Sequence, residues 1–228
     1  MLGDIRRALK REVKSPSSDA QPVLSESSQQ LDHLVFEIKR NCEQNRAELI
    51  RQFEYELTRV GGRFHRATNG ESAFQYVEQI ISDRRAKTIL GCEAPVIDGI
   101  DLPNRLKENG IAFVAESESE FLRTAAVADI GVSDVDYALA DTGTLVLVAR
   151  KGKARSISLL PPVHIAVMKP EQVIPGLNEL FPLLRCETGG RNLSSAITFI
   201  TGPSRTADIE LTLVVGVHGP QQLHVVLL

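Results

Sequence analysis

The sequence predicts an α/β fold: a mixed, largely parallel sheet flanked by helices, with a β-rich middle and additional helices at the N-terminus. Three observations carry this prediction. From residue 63 onward, helical patterns alternate with short runs of β-branched residues, which is typical of parallel strands joined by covering helices. Between residues 137 and 168, short apolar runs are separated by tight turns, which favours antiparallel neighbours. The chain of 228 residues is 43% apolar, enough to bury a substantial core.

The N-terminal part of the chain predicts helices without strands. A short amphipathic helix and a Ser- and Pro-rich linker are predicted before residue 28. Apolar residues then recur with helical spacing over 31–60, and two consecutive glycines predict the end of this long helix. We therefore expect an N-terminal helical arm over 1–60 and an α/β domain over 61–228.

Within the predicted α/β domain, the period of the apolar residues places the elements in order. Strands are predicted at 87–90, 111–115, 137–140, 144–149, 157–160, 164–168, 196–200 and 223–228. Helices are predicted through 74–81, after a capping box of Ser117 and Glu120, and over 175–185 with Pro175 at the first helical position. Strict alternation over 207–215 favours one extended segment.

Composition excludes several classes of function. The net charge is −3, aromatic residues make up 5% of the chain and Trp is absent, so we expect no nucleic-acid binding. No apolar run approaches the ~18 residues of a membrane span, and the first residues lack the apolar core of a secretory signal, so we expect a cytoplasmic protein. The cysteines Cys42, Cys92 and Cys186 are widely spaced, which predicts no metal or cofactor site.

The first candidate motif is the turn in "ALADTGTLVLV". Thr142, Gly143 and Thr144 lie between two strand-like runs, where the glycine can adopt a positive φ and the threonines offer hydroxyl and backbone N–H groups. In open α/β sheets, ligands bind outside the carboxyl ends of strands. The turn is therefore a candidate ligand loop, with an ordinary hairpin as the alternative.

The second candidate motif is "ITGPSRTADIE". Gly202 and Ser204 can present backbone N–H groups to an anion, and Arg205 can grip a carboxylate or phosphate with its planar fork. Asp208 and Glu210 would project from one face of a strand, where they can orient Arg205 or bind hydroxyl groups of a ligand. Neither a Walker A loop nor a GxGxxG pattern is present.

The third candidate motif is "GVHGP", in which His218 stands in a glycine-rich setting next to Gly219. We predict that the three motifs converge on a pocket for a small anionic ligand. Its predicted residues are Thr142, Gly143, Thr144, Gly202, Ser204, Arg205, Thr206, Asp208, Glu210, His218 and Gly219. The alternative is that Asp208 and Glu210 pair with Arg205 only to hold the last strands together.

Together, the three motifs resemble the LUD domain family, and within it the lactate utilization protein C branch. The resemblance runs from about residue 30 to residue 228. It implies a fold similar to the group of CoA-transferases, ribose-phosphate isomerases and formyltetrahydrofolate cyclo-ligases. It assigns no catalytic residue: related CoA-transferases use a glutamate, but neither Glu187 nor Glu210 can be matched to it.

The resemblance also implies a place in a bacterial system that oxidises L-lactate to pyruvate. The expected partners are a subunit that joins a LUD domain to iron–sulfur clusters and a subunit with a CCG-type redox domain. Because this chain lacks cluster cysteines, we expect an accessory or ligand-binding subunit rather than an electron carrier. The alternative is an independent enzyme of the CoA-transferase or ATP-dependent cyclo-ligase type.

Overall fold

The computed structural model of the chain describes residues 28–189, 194–209 and 212–228. Its α-helices are α1 (Ser28–Gln44), α2 (Arg46–Arg59), α3 (Gly70–Arg84), α4 (Pro95–Asp98), α5 (Leu102–Glu108), α6 (Phe121–Ala125), α7 (Ser156–Leu159) and α8 (Leu177–Glu187). Its strands are β1 (Arg63–Arg66), β2 (Thr88–Gly91), β3 (Ala112–Ala115), β4 (Ile130–Asp134), β5 (Tyr137–Leu139), β6 (Thr144–Val148), β7 (Val163–Met168), β8 (Val173–Ile174), β9 (Ile197–Ile200), β10 (Arg205–Ile209), β11 (Thr212–Val215) and β12 (Gln222–Leu227).

Six of the described strands form the main sheet, in the order β1-β12-β7-β4-β2-β3, and every neighbouring pair is parallel. The strands β7 and β12 are buried along almost their whole length. Parallel sheets covered on both faces require this, because neither side of a strand then meets water. The predicted α/β fold with a largely parallel sheet is confirmed.

The core consists of two clusters that meet across the central strands. One cluster packs α3 to α7 against the main sheet and includes Ile165 and Val226. The other packs α1, α2 and α8 against it and includes Ala166 and Val225. Adjacent residues of one strand enter different clusters because side chains alternate between the two faces of a strand.

The β-rich middle builds a second, four-stranded sheet in the order β8-β5-β6-β9. The pair β5–β6 is antiparallel, as the tight turn between the two strands predicted; β6–β9 is also antiparallel, whereas β5–β8 is parallel. The antiparallel prediction is wrong for 164–168, which lie in β7 of the parallel main sheet. The buried residues Ala138, Leu145 and Val146 of this sheet join the same cluster as α1 and α2. The small sheet therefore anchors the N-terminal helices to the main sheet. The division of the chain at residue 60 stays a prediction.

Several predicted elements are wrong in detail. The helix predicted over 31–60 breaks at Asn45, whose side-chain amide donates to the Asn41 carbonyl oxygen at 3.0 Å. Residues 157–160 were predicted as a strand, but 157–159 lie in helix α7. The amide of Leu160, which follows this helix, donates to the Ser156 carbonyl at 3.0 Å. An apolar run of four residues does not distinguish a helical turn from a strand.

Other differences concern helix starts and the last strands. Ser117 and Glu120 form no capping box; the Ser117 hydroxyl instead donates to Glu93 at 2.6 Å. Helix α8 begins two residues after Pro175. The segment predicted as one extended strand folds into the antiparallel pair β10 and β11. The predicted helix over 1–13 and the linker after it lie outside the described residues.

Candidate functional site

The main sheet has a topological switch point between β2 and β4. From β2 the chain proceeds to β3 at one edge, whereas from β4 it proceeds toward β7 on the opposite side. Connections that diverge in this way leave a crevice at the carboxyl ends of the two strands, the usual ligand position in open α/β sheets. Cys92 directly follows β2, and Asp134 ends β4. The crevice therefore lies over these two residues.

Four charged residues, which we call the Asp–Lys cluster, occupy this crevice: Asp134, Asp136, Arg150 and Lys153. The Lys153 ammonium lies 2.8 Å from one oxygen of each aspartate. The Arg150 guanidinium lies 2.6 Å from Asp136 and 3.7 Å from Asp134. Two positive charges thus balance two negative ones, which a buried ionic group requires.

Local structure explains how these side chains come together. Asp134 ends β4, and Asp136 stands in the link to β5 two residues later. Asp136 also accepts the backbone N–H of Val148 at 2.6 Å, so that the end of β6 is tied to the same carboxylate. Arg150 and Lys153 then face each other across a short bridge after β6. Lys153 is only 6% exposed, which makes its two carboxylates essential partners.

Cys92 completes the crevice as a neutral thiol. Its Sγ donates to Asp134 at 3.3 Å and accepts the Asp134 backbone N–H at 3.3 Å. Burial, followed by the nearby Asp134 carboxylate, raises the pKa of Cys92 to about 12. Because the thiolate is the reactive form of cysteine, this shift disfavours reactivity at neutral pH, while the two contacts position Asp134.

Two cavities lie beside the Asp–Lys cluster. The first, which we call the inner cavity, has a volume of about 450 Å³ and is bounded by α1, α8, β5 and the 3₁₀ helix Pro170–Gln172. Its apolar wall includes Ile38, Ile174 and Leu183, and Asp136 of the cluster also lines it. Its lining also carries six charged residues: Lys39, Glu43, Arg46, Asp136, Glu171 and Glu187. A cavity of this size that combines apolar surface with fixed polar groups is typical of a small-molecule site.

The polar groups of the inner cavity are held in place by specific contacts. The Tyr137 hydroxyl donates to the Glu187 carboxylate, and burial together with this carboxylate raises the pKa of Tyr137. The Arg46 guanidinium donates to the Pro170 carbonyl at 2.9 Å. Lys39 lines the same cavity and, within the described part of the chain, has no hydrogen-bond or ion-pair partner. Its ammonium is therefore available to a ligand.

The second cavity, the outer cavity, lies beyond β2 and β3 and has a volume of about 490 Å³. Its wall is acidic: Glu93, Asp98 and Glu118 line it together with a single cation, Lys107. Beside it in the chain, Glu116 has a buried carboxylate oxygen with no hydrogen-bond partner among the described residues. This composition suits hydroxyl or ammonium groups better than an anion.

The residues predicted from the three motifs lie elsewhere, at the amino ends of the parallel strands. The first turn packs on the end of α2: a Cβ at Gly143, where φ is +64°, would lie 2.2 Å from the Leu57 backbone nitrogen. Thr144 is buried and shares a 2.8 Å hydrogen bond with Thr201, whereas Thr142 is exposed. The first turn thus reaches the second motif through Thr144.

The second motif contacts the segment that follows α2. At Gly202, where φ is +82°, a Cβ would lie 2.6 Å from the Val60 carbonyl oxygen, and the Arg205 guanidinium donates to the same carbonyl at 3.0 Å. Glycine is required at Gly202 both by the backbone conformation and by this close approach. Arg205 thus has a backbone partner. The predicted pairing of Arg205 with Asp208 and Glu210 lies outside what the structure describes, because the side chain of Asp208 and the whole of Glu210 are outside the described part of the chain.

The second and third motifs touch each other. The Ser204 amide donates to the Pro220 carbonyl at 2.9 Å, and the Ser204 carbonyl accepts the Gly216 amide at 2.9 Å. The Ser204 side chain lies against Gly219, while His218 is exposed. Thr206 pairs with Val214 in the β10–β11 hairpin. The structure therefore brings parts of all three motifs to one region around the end of α2. Their role in ligand binding stays a prediction.

The sequence analysis did not predict the Asp–Lys cluster and Cys92, which lie at the carboxyl ends of the parallel strands (the carboxyl edge of the main sheet), because no sequence motif marks them. None of the predicted residues lines the inner or the outer cavity. The available signal was "SDVDY", in which Asp134 and Asp136 follow a buried strand that points toward the carboxyl edge. Within residues 28–189, 194–209 and 212–228, no group of three His, Cys, Asp or Glu side chains is placed to hold a metal ion, and no helix is long and apolar enough to cross a membrane.

Comparison with known proteins places this geometry in context. A family model described as the LUD domain matches residues 50–228. Lactate utilization protein C of Halalkalibacterium halodurans is 37% identical over 148 residues, which cover 64% of this chain and 64% of that protein, just under two thirds of its length. Lactate utilization protein C of Oceanobacillus iheyensis is 31% identical over 217 residues, 91% of this chain and 85% of that protein.

A solved structure supports the fold. A DUF162 family protein from Deinococcus radiodurans has a TM-score of 0.55 to this chain, with 20% sequence identity, and the match covers 80% of this chain and 97% of that one. At this level of identity the likeness concerns the fold alone.

Proposed function

The chain belongs to the LUD domain family, and on this premise we propose that it acts in bacterial lactate utilization, as an accessory or ligand-binding subunit of a system that oxidises L-lactate to pyruvate. The family resemblance predicted from the three motifs is confirmed. The observation that carries the proposal is the likeness to lactate utilization protein C, which extends over nine tenths of the chain in one relative.

The placement of the cysteines supports a role other than electron transfer. The sequence contains three, and they lie on α1, after β2 and on α8. An iron–sulfur cluster is usually held by four cysteines brought together by close spacing. We therefore propose that electrons pass through two partners: an iron–sulfur subunit with its own LUD domain and a subunit with a CCG-type redox domain.

The inner cavity is the proposed ligand site. It combines an apolar wall with the Tyr137 hydroxyl, which Glu187 orients, and with the Lys39 ammonium, which has no described partner. Apolar surface supplies affinity, while a few fixed polar groups determine orientation. The Asp–Lys cluster forms one side of the cavity through Asp136 and holds the ends of β4 and β6 rigidly around it.

Reconstitution tests the proposal. The purified chain is mixed with the two partner subunits, and reduction of an electron-accepting dye by L-lactate is followed. We expect the three proteins to co-purify and the full chain to raise the rate of dye reduction. Tyr137→Phe should lower that increase about fivefold, the equivalent of one lost hydrogen bond of about 1 kcal/mol. Tyr55→Phe, the same change at an exposed position on α2, is the matched control.

Two results would contradict this proposal. Turnover of an acyl-CoA or of ATP by the isolated chain would favour the alternative, an independent enzyme of the CoA-transferase or cyclo-ligase type. Failure of the chain either to bind the partner subunits or to change their rate would remove it from lactate oxidation. Equal rates for Tyr137→Phe and Tyr55→Phe, with the complex intact, would exclude the inner cavity as the ligand site but would leave the proposed role in lactate oxidation unaffected.

A further inference from the structure

A third cavity lies at the opposite edge of the main sheet, at the amino ends of β1 and β12. This amino-edge pocket has a volume of about 230 Å³ and is lined by Arg63, Ile80, Asp83, Arg84, Gln222 and His224. Arg63 begins β1 and Gln222 begins β12, while Arg84 ends α3. Its volume is below the range of about 300–1,000 Å³ typical of sites for drug-sized ligands, so its occupant must be small.

The floor of the pocket is a buried, neutral imidazole. His224 is 2% exposed, and burial, followed by the charges of Arg63 and Arg84, lowers its pKa to about 4. The Tyr76 hydroxyl lies 3.1 Å from its Nδ1, and the Gln222 side-chain oxygen lies 3.4 Å from its Nε2. A neutral imidazole has one donor and one acceptor, so Nδ1 accepts from Tyr76 and Nε2–H faces Gln222.

The contact with Gln222 leaves this N–H poorly satisfied. At 3.4 Å it lies beyond the usual range of 2.7–3.2 Å for N–H···O hydrogen bonds. His65 stacks on Tyr76 with ring centroids 4.1 Å apart, which fixes the tyrosine from the other side. The Nε2–H of His224 is thus a donor in a fixed position, and both His224 and the Gln222 that it faces line the pocket.

Two guanidinium groups stand at the rim without an acidic partner. Among the described residues, neither Arg63 nor Arg84 forms an ion pair or a side-chain hydrogen bond. Both arginines line the same pocket as His224, and their positive charges help to lower the pKa of its imidazole. Asp83 is the one carboxylate among the described residues that line the pocket, so the lining carries a net charge of +1: two arginines minus one aspartate.

We propose that the amino-edge pocket binds a small oxyanion, either a carboxylate or a phosphate, through Arg63, Arg84 and the Nε2–H of His224. Guanidinium forks match the oxygen geometry of both groups, and charge-assisted hydrogen bonds are stronger than neutral ones. This site is separate from the inner cavity at the carboxyl edge and does not depend on the function proposed above.

Titration of the full chain with anions tests the proposal. Inorganic phosphate and L-lactate are added separately at constant ionic strength, with chloride as the reference, and the imidazole resonances of His224 are followed by NMR. We expect a saturable shift with one or both anions, and the anion that saturates at the lower concentration identifies the class. Arg84→Ala should weaken binding at least tenfold, the equivalent of one charge-assisted hydrogen bond.

Two further variants sharpen the test. Asp83→Asn removes the competing carboxylate and should tighten binding, whereas Arg123→Ala removes an equally charged residue on α6, which is 85% exposed, and should leave binding unchanged. Because Arg84 is exposed and unpaired, Arg84→Ala should keep the thermal midpoint of the parent chain. No saturable shift with either anion, or equal binding by Arg84→Ala and Arg123→Ala, would overturn the proposal.

Discussion

Replacing Lys153 by Met tests whether the Asp–Lys cluster holds the carboxyl edge together. The substitution keeps an unbranched side chain that is one atom shorter, but it removes the ammonium that lies 2.8 Å from both Asp134 and Asp136. Removing one partner of a buried ion pair typically costs 3–5 kcal/mol, because the remaining charge stays buried and unpaired. Arg150 still contacts both aspartates but is 56% exposed and therefore screened. We expect a loss of about 3 kcal/mol in the free energy of unfolding.

Urea unfolding at pH 7, followed by circular dichroism, measures this loss. Lys151→Met is the matched control, since Lys151 is exposed and changes at such positions usually stay within about 0.5 kcal/mol. The double variant Lys153→Met with Asp136→Asn should be more stable than Lys153→Met alone, because it removes one of the two buried negative charges that would otherwise share Arg150 as their remaining cation. A Lys153→Met loss below about 1 kcal/mol, similar to that of the control, would refute the reasoning.

Two further predictions concern buried histidines and the glycine motifs. Burial lowers the pKa of His164 to about 3, and burial with the nearby arginines lowers that of His224 to about 4, both from 6.5. The unfolded chain therefore binds more protons below pH 6.5, and unfolding free energy measured in urea should fall as the pH drops from 7 toward 4, by up to about 1.4 kcal/mol per pH unit for each histidine. His164→Gln should flatten this fall, and an unchanged slope would contradict the assignment. Arg205→Ala should abolish any stabilisation by a small anion bound at the glycine motifs; thermal stabilisation and activity of the reconstituted complex that both stay at parent values would count against that predicted site.

The alternation of helices and strands was predictable because apolar periodicity directly reflects burial. Strand β1, with the sequence "RFHR", was not predicted because an arginine stands at each of its ends and it shows no apolar run. Its partner β12 is also far away in the sequence, so no turn marks the pair. The helical turn of α7 was predicted as a strand for the converse reason: four apolar residues in a row carry no period. Local sequence thus predicts an element well only where the element is long enough to show its repeat.

The candidate site was harder to predict than the fold. The three glycine motifs drew attention because glycine and polar residues alternate there, and at Gly143 and Gly202 the structure uses glycine for close packing against α2. The Asp–Lys cluster is built from segments that only the sheet order brings together, as Asp134 ends β4 and Lys153 follows β6. No local pattern encodes such a meeting, because it depends on which strands are neighbours.

The order of strands has a consequence for synthesis on the ribosome. Strand β12, which follows every other strand in the chain, lies between β1 and β7 and pairs with both along their length. Until it has emerged, β1 lacks the one neighbour that it has among the described strands of the main sheet, and β7 presents an open edge of the kind that recruits other chains. The main sheet therefore cannot be completed until β12 has been synthesised and has left the ribosome. Until then, the exposed side of β7 makes the nascent chain vulnerable to aggregation.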